Sequence, residues 1–280
     1  MKEIIQGSSV LVKVCFCLLL GVLFIALFAD FLMPYDPDAT SLLDRNLPPV
    51  FLGGSAEHLL GTDELGRDLL SRLLYGTRVS IGMAVFGLMV GGAFGVILGL
   101  TAGYFGGVWD RAVLMLINFQ QSIPFTLIVL LGVVIFGRGI PVLMLFIGMA
   151  RWETYAKMIR GLVLSLKKKQ YVEAARCYNT STPRLLFRYI FPGVRTSLIV
   201  LLTLNFPAVL LIESSLSFIG IGVQPPTATL GQMVGAGRNF LMIAPWISLV
   251  PALMIVLVAY CIQHVGERLR DHFDVRLADE

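Results

Sequence analysis

Residues that could carry out catalysis or bind a metal are scattered along this chain. The three histidines do not cluster, and no metal-ligand spacing such as H-E-x-x-H is present. No nucleophile beside a base supports an enzyme either. The phosphate-binding pattern G-x-x-x-x-G-K-[S/T] is also absent, so the chain cannot be an ATPase by that route. The sequence therefore predicts no enzyme, no metal site and no cofactor bound by this chain itself.

Glu213 is the one carboxyl residue well within an apolar segment. A carboxyl group in such a place is a candidate for a functional polar site inside a membrane. The alternative, which we favour, is a hydrogen-bonded packing contact with Ser214, Ser217 or a neighbouring helix, because one carboxyl group makes no proton relay.

The composition is that of a polytopic membrane protein. Of the 280 residues, 56% are hydrophobic, and the mean hydropathy is +0.81. A membrane-spanning helix needs roughly 20 apolar residues. Six segments fit this requirement: Val14–Met33, Ser80–Gly103, Ala112–Phe136, Ile140–Met158, Val194–Phe218 and Trp246–Val265. The fourth is interrupted by charged residues, of which Glu153 and Lys157 have the i,i+4 spacing of a helical ion pair.

The distribution of lysine and arginine sets the orientation of these spans. With the N-terminus in the cytoplasm, the inner segments carry Lys2, Lys13, Arg111, Arg160, Lys167, Lys168, Lys169, Arg176, Arg184, Arg188, Arg195, Arg268, Arg270 and Arg276. The outer segments carry only Arg45, Arg67, Arg72, Arg78, Arg138 and Arg238. This bias follows the positive-inside rule and predicts that both termini are cytoplasmic. The net charge of +4 follows from that topology, so it indicates membrane lipid rather than nucleic acid as a neighbour.

The longest polar interval between two hydrophobic segments runs from Lys167 to Pro192 and predicts two short helices joined by a tight turn. Good helix formers lie at the centre of the first helix: Glu173, Ala174 and Ala175. Asn179 falls where this helix should end, in the left-handed position just past a C-cap. Thr182 is expected to cap the second helix, with Pro183 at its first position. The second helix should present Leu185, Leu186 and Tyr189 on one side and Arg184 and Arg188 on another.

This interval resembles the EAA loop of binding-protein-dependent ABC importer permeases, whose pattern is E-A-A, a glycine four residues later, and I-x-L-P. The resemblance rests on Glu173-Ala174-Ala175, Ile190 and Pro192. Asn179 replaces the glycine and Phe191 replaces the leucine. In that family the loop docks into a cleft on an ATP-hydrolysing subunit, which would make Glu173 to Ala175 the docking helix, Asn179 its turn, and Arg184 and Arg188 polar contacts. An ordinary amphipathic loop on the membrane surface is the alternative.

The first outer segment, Pro34 to Val79, contains a second informative stretch. Thr62 could cap a helix whose apolar side consists of Leu65, Leu69, Leu70, Leu73 and Leu74. Arg67, Asp68, Ser71 and Arg72 would then face away from that side, with Asp68 and Arg72 as an i,i+4 pair. The sequence thus predicts an amphipathic helix lying in the outer membrane interface before the second span.

Further motifs narrow the resemblance to the C-type subunits of the dipeptide, oligopeptide and nickel permease family. The stretch after Gly61 resembles the family's G-T-D-x-x-G-R-D-x-x-S-R pattern, and Glu213 to Phe218 resembles its E-x-S-L-S-F pattern. The C-terminal G-E-R-L-R-D-H-F-D-V-R is similar to its closing sequence, with Glu267 and Val275 as departures. Together these motifs cover nearly the whole chain.

The resemblance implies an all-α fold with six transmembrane helices and a cytoplasmic helix–turn–helix, as in type I ABC importers of the bacterial inner membrane. It implies a second homologous permease subunit, two ATP-binding subunits that hold ATP and magnesium, and an extracytoplasmic solute-binding protein. We expect di- or oligopeptides as the solute, with nickel or a metal chelate as the alternative. An ion-coupled secondary transporter is the rival of another class, and it would need intramembrane charge pairs or an inverted repeat.

The chain accordingly divides into four parts: the N-terminus and first span (1–33), the outer segment (34–79), the transmembrane core with its loop at 167–192 (80–265), and the tail (266–280). Glycines are crowded between Gly82 and Gly107. In a membrane such residues let helices approach closely, so we interpret them as packing positions rather than as a hinge or a phosphate loop.

Overall fold

The computed structural model describes residues 10–137 and 139–278, with side chains up to residue 273. Lys2 and Arg138 lie outside the described residues, as does the side chain of Arg276. The regular elements of the described chain are helices. They are α1 (Val10–Leu32), α2 (Leu69–Phe105), α3 (Gly107–Ser122), α4 (Phe125–Phe136), α5 (Ile140–Gly148), α6 (Trp152–Leu166), α7 (Gln170–Cys177), α8 (Thr182–Phe218), α9 (Leu230–Gly237) and α10 (Trp246–Ala278). The all-α prediction is confirmed for the described residues.

The number of membrane-spanning helices differs from the six predicted. In the described chain, four helices are long and apolar enough to cross a membrane: α1, α2, α8 and α10. A fifth span results if α3 and α4 count as one, but they meet at an angle of 89°. That break falls at Pro124, whose missing N–H and restricted neighbour interrupt a helix.

The predicted fourth span, Ile140–Met158, is divided between α5 and α6. The nine residues of α5 cover only about 14 Å at 1.5 Å per residue, against a hydrocarbon core of about 30 Å. The expected pair of Glu153 and Lys157 does not form within the described residues. Glu153 is buried and accepts a hydrogen bond from Gln120 Nε2 at 3.2 Å, whereas Lys157 is exposed.

A close approach between helices joins α2 to α5 and α6 along a row of glycines. These occur at every fourth position: Gly87, Gly91, Gly95, Gly99 and Gly103. A Cβ atom added to Gly95 would lie 2.5 Å from the carbonyl oxygen of Trp152, and one on Gly99 would lie 2.7 Å from that of Ala156. The two backbones are therefore in direct contact, and only glycine fits. This confirms the packing interpretation for the row from Gly87 to Gly103, whereas Gly82, Gly106 and Gly107 have no atom within 4 Å of their Cβ positions.

The outer segment contains no separate interfacial helix, contrary to the prediction. Helix α2 begins at Leu69, is capped by the side chain of Asp68, and runs unbroken into the membrane span. The preceding residues form a turn, in which Asp63 Oδ1 accepts hydrogen bonds from the N–H groups of Leu65 and Arg67 at 2.9 and 3.0 Å. Gly66 closes this turn with φ of +73°. A side chain that bonds the backbone two residues ahead competes with helix formation, so the helix cannot begin at Thr62.

The polar residues that were expected to face away from the apolar side are instead buried in an ionic network. Asp63 Oδ2 accepts from Arg67 Nε at 2.6 Å and lies 3.4 Å from Arg72 Nε. Arg72 Nη1 donates to the carbonyl oxygen of Pro37 at 2.9 Å, and Nη2 donates to Gln232 Oε1 at 3.5 Å. The network thus joins the outer segment and α2 to α9. Removing one member would leave a buried charge uncompensated, which typically costs about 3–5 kcal/mol.

The predicted i,i+4 pair of Asp68 and Arg72 is also replaced by other contacts. Asp68 Oδ2 accepts from the N–H and hydroxyl of Ser71 at 2.8 and 2.7 Å. Its Oδ1 lies 2.9 Å from His58 Nδ1. Asp68 therefore acts as the N-cap of α2, a position at which the carboxylate also meets the positive end of the helix dipole.

The glycine row leads to a prediction about stability. We expect Gly99→Ala to lower the melting temperature in detergent, because the added methyl group would overlap the backbone of α6 and cost about 1–3 kcal/mol. Gly82→Ala on the same helix is the matched control, since no atom lies within 4 Å of its Cβ position. Thermal unfolding of the two purified variants is the measurement. Equal melting temperatures would contradict the close approach of α2 and α6.

Candidate functional site

The turn that follows α7 has the geometry predicted from the sequence. Asn179 adopts the left-handed conformation with φ of +54°. Its N–H donates to the carbonyl oxygen of Arg176 at 3.0 Å, and the N–H of Thr180 donates to that of Ala175 at 3.3 Å. These two bonds define a Schellman motif, in which glycine is usual and asparagine is the common substitute. Asn179 therefore adopts the backbone conformation for which the family that this interval resembles uses glycine.

The second helix of the interval begins one residue differently from the prediction. Thr182 is its first residue, so the N-cap position belongs to Ser181, whose side chain makes no capping hydrogen bond. Pro183 lies in the first turn, as expected. Pro183 fixes the backbone of the first turn, and because proline has no N–H group, that turn has one fewer donor in need of a partner. The start of the helix can therefore move by one residue.

This helix does not end at the membrane surface but continues into a span. Residues Thr182–Phe218 form one helix of 37 residues, about 55 Å long at 1.5 Å per residue. A single π turn, Leu186–Ile190, occurs within it, and such turns often occur at functional positions. We call α7, its turn and the first part of α8 (Gln170 to Pro192) the helical hairpin.

One side of the helical hairpin is buried against the rest of the protein. Val172 of α7 and Leu185 of α8 belong to one apolar cluster, the hairpin cluster, which also contains residues of α2 and α6. Its buried members are Val96, Leu100, Ile159, Val163, Val172, Leu185, Leu186, Ile190 and Val194. Ala175 of α7 is buried as well. The hairpin is therefore fixed to the helices that the glycine row holds together.

Two polar contacts strengthen this attachment. Lys167 Nζ donates to the carbonyl oxygen of Gly103 at 2.8 Å, so a cation occupies the negative end of α2. The guanidinium of Arg176 lies 5.5 Å from the ring centre of Tyr104, within the range of a cation–π contact. The contact of Arg176 joins the hairpin to the last turn of α2, and that of Lys167, just past the end of α6, joins the segment that leads into the hairpin to the same turn.

The other side of the hairpin is exposed, and it carries most of the residues singled out from the sequence. Glu173, Ala174, Asn179, Arg184, Arg188 and Pro192 are exposed, whereas Ala175 faces the protein. Sequence reasoning did not identify Tyr178, which is 86% exposed at the tip of the hairpin. Exposed tyrosine and arginine side chains are typical of residues that dominate protein–protein contacts. An aromatic residue next to the turn was the signal that could have identified it.

Glu213 lies in a separate place, far along α8 from the hairpin. It is fully buried, and its carboxyl group accepts hydrogen bonds from Ser217 Oγ at 2.9 Å and Ser214 Oγ at 3.3 Å. The hydroxyl groups of Ser80 and Thr229 interact with it as well. These residues belong to α2, α8 and the N-cap of α9, so the three helices meet around this carboxyl group. Such a satisfied group favours the packing interpretation.

The described residues contain no group of three or more His, Cys, Asp or Glu side chains that could hold a metal ion. The described hairpin contains one carboxylate, Glu173, among several cations. Its chemistry is therefore that of a contact surface of mixed charge with an aromatic tip, rather than that of a catalytic centre.

Two family models match the chain. Residues 95–279 match the binding-protein-dependent transport system inner membrane component. Residues 10–49 match the N-terminal TM domain of oligopeptide transport permease C. The first of these covers the core that contains α6, the hairpin and α8.

The chain is also similar to characterised permeases and to one solved structure. It is 33% identical to the dipeptide transport system permease protein DppC of Haemophilus influenzae over 273 residues, covering 97% of this chain and 92% of that protein. It is 34% identical to the nickel transport system permease protein NikC of Escherichia coli K12 over 256 residues, covering 91% of each. A chain of the MetNI methionine ABC transporter, in an inward-facing conformation, superposes with a TM-score of 0.52 at 19% identity, covering 72% of this chain and 97% of that one.

The structural similarity shows the fold, which is that of type I ABC importer permeases. The sequence similarity extends over nearly the whole chain and includes both the hairpin and the outer segment. The chain belongs to the family of binding-protein-dependent transport system inner membrane components and is a membrane permease subunit of an ABC importer.

Proposed function

We propose that the helical hairpin is the surface through which this permease contacts an ATP-hydrolysing subunit. The observation that carries the proposal is the unbroken helix Thr182–Phe218. Its first turns carry the exposed cations Arg184 and Arg188, and its remainder is a membrane span. A displacement applied to the hairpin is therefore transmitted to the span by a stiff helix.

Glu173, Ala174 and Asn179 form the first half of the proposed contact surface, and Arg184, Arg188 and Pro192 form the second half. Ala175 supports them from within, because its side chain is buried. The Schellman turn at Asn179 fixes the angle between the two helices. Contact residues on rigid elements lose little conformational entropy when they bind.

The assembly we propose consists of this chain, a second homologous permease subunit, two ATP-binding subunits and an extracytoplasmic solute-binding protein. ATP and magnesium bind to the ATPase subunits, and the hairpin lies in the cytoplasm with both chain termini. The bacterial inner membrane is the location, as the relatives' membrane permease role suggests. Closure of the ATPase subunits around ATP moves the two hairpins together and opens the path to the outer side.

Short peptides are the solute that we propose. The dipeptide permease and the nickel permease are about equally similar to this chain, so similarity alone does not decide between them. The described residues contain no group of three or more carboxylate, imidazole or thiolate side chains arranged to hold a metal ion, whereas a bare transition-metal ion would be held by such ligands. This favours a peptide over nickel, and nickel or a metal chelate is the second candidate.

The solute assignment is tested by uptake in cells that lack this chain and the other peptide importers. Restoring the chain should restore uptake of a labelled dipeptide such as alanyl-alanine, and collapse of the ATP pool should abolish it. Nickel uptake is measured in parallel. Restored nickel uptake without restored dipeptide uptake would contradict the peptide assignment, and uptake that depends on an ion gradient instead of ATP would favour the secondary transporter.

Charge reversal on α7 tests the contact surface. Glu173→Lys should leave the amount of chain in the membrane unchanged but reduce solute-stimulated ATP hydrolysis by roughly tenfold or more, because an unpaired charge at an interface costs about 2–5 kcal/mol. The measurement is the ATPase rate of the reconstituted transporter with loaded binding protein. Glu57→Lys, an exposed position outside the hairpin, is the control. Normal stimulation in the Glu173 variant would remove the hairpin from the mechanism.

The left-handed conformation of Asn179 makes a separate prediction. Asn179→Gly should retain or raise stability, because glycine adopts positive φ without strain. Asn179→Val should lower the free energy of unfolding by roughly 1–2 kcal/mol and weaken association with the ATPase subunit, because a β-branched residue is strained in this conformation. Thermal unfolding and co-purification of the ATPase subunit are the measurements. Identical behaviour of the two variants would show that the turn does not require positive φ.

A further inference from the structure

A cavity of about 330 Å³ lies at the end of the helices opposite the helical hairpin. We call it the mouth cavity. It is located between the turn that precedes α2, the end of α8, and α9 with the residues that flank it. Its polar lining consists of Glu64, Arg67, Ser217, Gln224, Gln232 and Arg238. Phe218, Ile219 and Val223 contribute apolar walls. Its volume is at the lower end of the range of about 300–1,000 Å³ found for small-molecule sites.

Glu64 has one carboxylate oxygen that is not used by the protein. Its Oε1 accepts a hydrogen bond from Arg67 Nη2 at 3.2 Å. Its Oε2 is buried and has no hydrogen-bond partner among the described residues. A buried carboxylate oxygen without a partner is costly. The oxygen is inaccessible while 19% of the Glu64 side chain is exposed, so a small shift of this side chain would let a cationic ammonium group in the cavity bond the oxygen and remove this cost.

The charges connected to Glu64 do not balance. The contacts that join Asp38, Asp63, Glu64, Arg67 and Arg72 form one network. Its three carboxylates and two guanidinium groups sum to −3 + 2 = −1. His58 pairs with Asp68, which lies outside this set. Counted over these ion pairs, the network has one negative charge in excess; the exposed Arg45 lies beside it and donates from Nε to the carbonyl oxygen of Glu64 at 2.7 Å. Glu64, which has an unbonded oxygen, is a member of the network that also lines the mouth cavity.

Arg238 provides a positive group on the same cavity. Its guanidinium lies 5.7 Å from the ring centre of Phe218, a cation–π contact that leaves its N–H donors available. The side chain is exposed, and no ion pair holds it within the described residues. A guanidinium group with free donors suits a carboxylate, which it can bind through two parallel hydrogen bonds.

We propose that the mouth cavity is a binding subsite for the free termini of a short peptide, with the α-ammonium at Glu64 and the α-carboxylate at Arg238. This rests on the proposed peptide solute, and it adds a recognition site within the permease itself. An extended dipeptide spans about 7 Å, which is compatible with a cavity of this size. The opposite charges of the two walls complement a zwitterion, whereas a peptide blocked at either end loses one of the two contacts.

The test measures weak binding directly, without the solute-binding protein. The transporter is purified through a tag on this chain, placed in lipid nanodiscs, and titrated with three probes by saturation-transfer NMR: alanyl-alanine, its N-acetyl derivative and its C-terminal amide. Wild type should bind alanyl-alanine more tightly than either blocked probe. Glu64→Gln should weaken the binding of alanyl-alanine and of the amide by about three- to tenfold, because one charge-assisted contact is lost. It should leave the binding of the N-acetyl probe unchanged.

Arg238→Gln should give the mirror result: weaker binding of alanyl-alanine and of the N-acetyl probe, and unchanged binding of the amide. Arg238 is exposed, so this variant carries the test if Glu64→Gln alters folding, which the melting temperature reports. Glu57→Gln, on the same outer segment but away from the cavity, should bind all three probes as wild type does. Equal losses for all three probes, or the same losses in the Glu57 variant, would overturn the subsite.

A parallel uptake measurement separates this inference from the proposed function. The same transporter in liposomes, with its binding protein and ATP, should accumulate alanyl-alanine. Uptake by wild type together with probe affinities that do not depend on Glu64 or Arg238 would overturn the subsite alone. Uptake of nickel and no uptake of alanyl-alanine would overturn the peptide assignment, and the subsite with it.

Discussion

The direct backbone contact of α2 with α5 and α6 is the constraint on which the arrangement of the other helices depends. Every fourth residue of α2 from Gly87 to Gly103 is glycine, and the sites of their Cβ atoms are occupied by atoms of the facing helices. In lipid, where apolar side chains gain little by leaving their surroundings, close packing and hydrogen bonds are what hold helices together. The row of glycines leaves a groove on the surface of α2, and α6 lies in this groove. The short helices α5 and α6 are therefore held in place by their contact with α2 rather than by a length that spans the membrane.

The position of the helical hairpin depends on this contact. Its buried residues pack on the last turns of α2 and α6, where Lys167 and Arg176 also bind the end of α2. The hairpin is continuous with α8, which reaches the opposite end of the molecule. The parts of the protein that would have to move together are thus joined by packed side chains and by one helix. Rigid elements with two discrete arrangements are the physical basis on which sites communicate over such distances.

The opposite end of the molecule is organised by charge rather than by close packing. Asp63 orients Arg67 and Arg72 within a buried network that reaches from Pro37 to Gln232. Buried ions are expensive, so each must be paired or bonded. Around the mouth cavity this requirement is met incompletely, because one buried oxygen of Glu64 has no partner among the described residues. The exposed Arg238 on the same cavity forms no ion pair with any described residue. The termini of a peptide in the proposed subsite would supply the missing partners.

The sequence by itself determined the class of the protein, the hairpin and the role of the glycines. Hydropathy, the turn residues at Asn179 and Pro183, and the spacing of the glycines are local properties that a reader can recognise without coordinates. Tertiary structure decided three matters: the number of long spans, the start of α2, and the burial of Arg67 and Arg72. A helical pattern can be read from Thr62 onward, but the side chain of Asp63 bonds the backbone ahead of it and delays the helix to Leu69. Whether a charged residue faces water or the interior depends on partners distant in the chain, such as Gln232 for Arg72, and no local pattern reveals them.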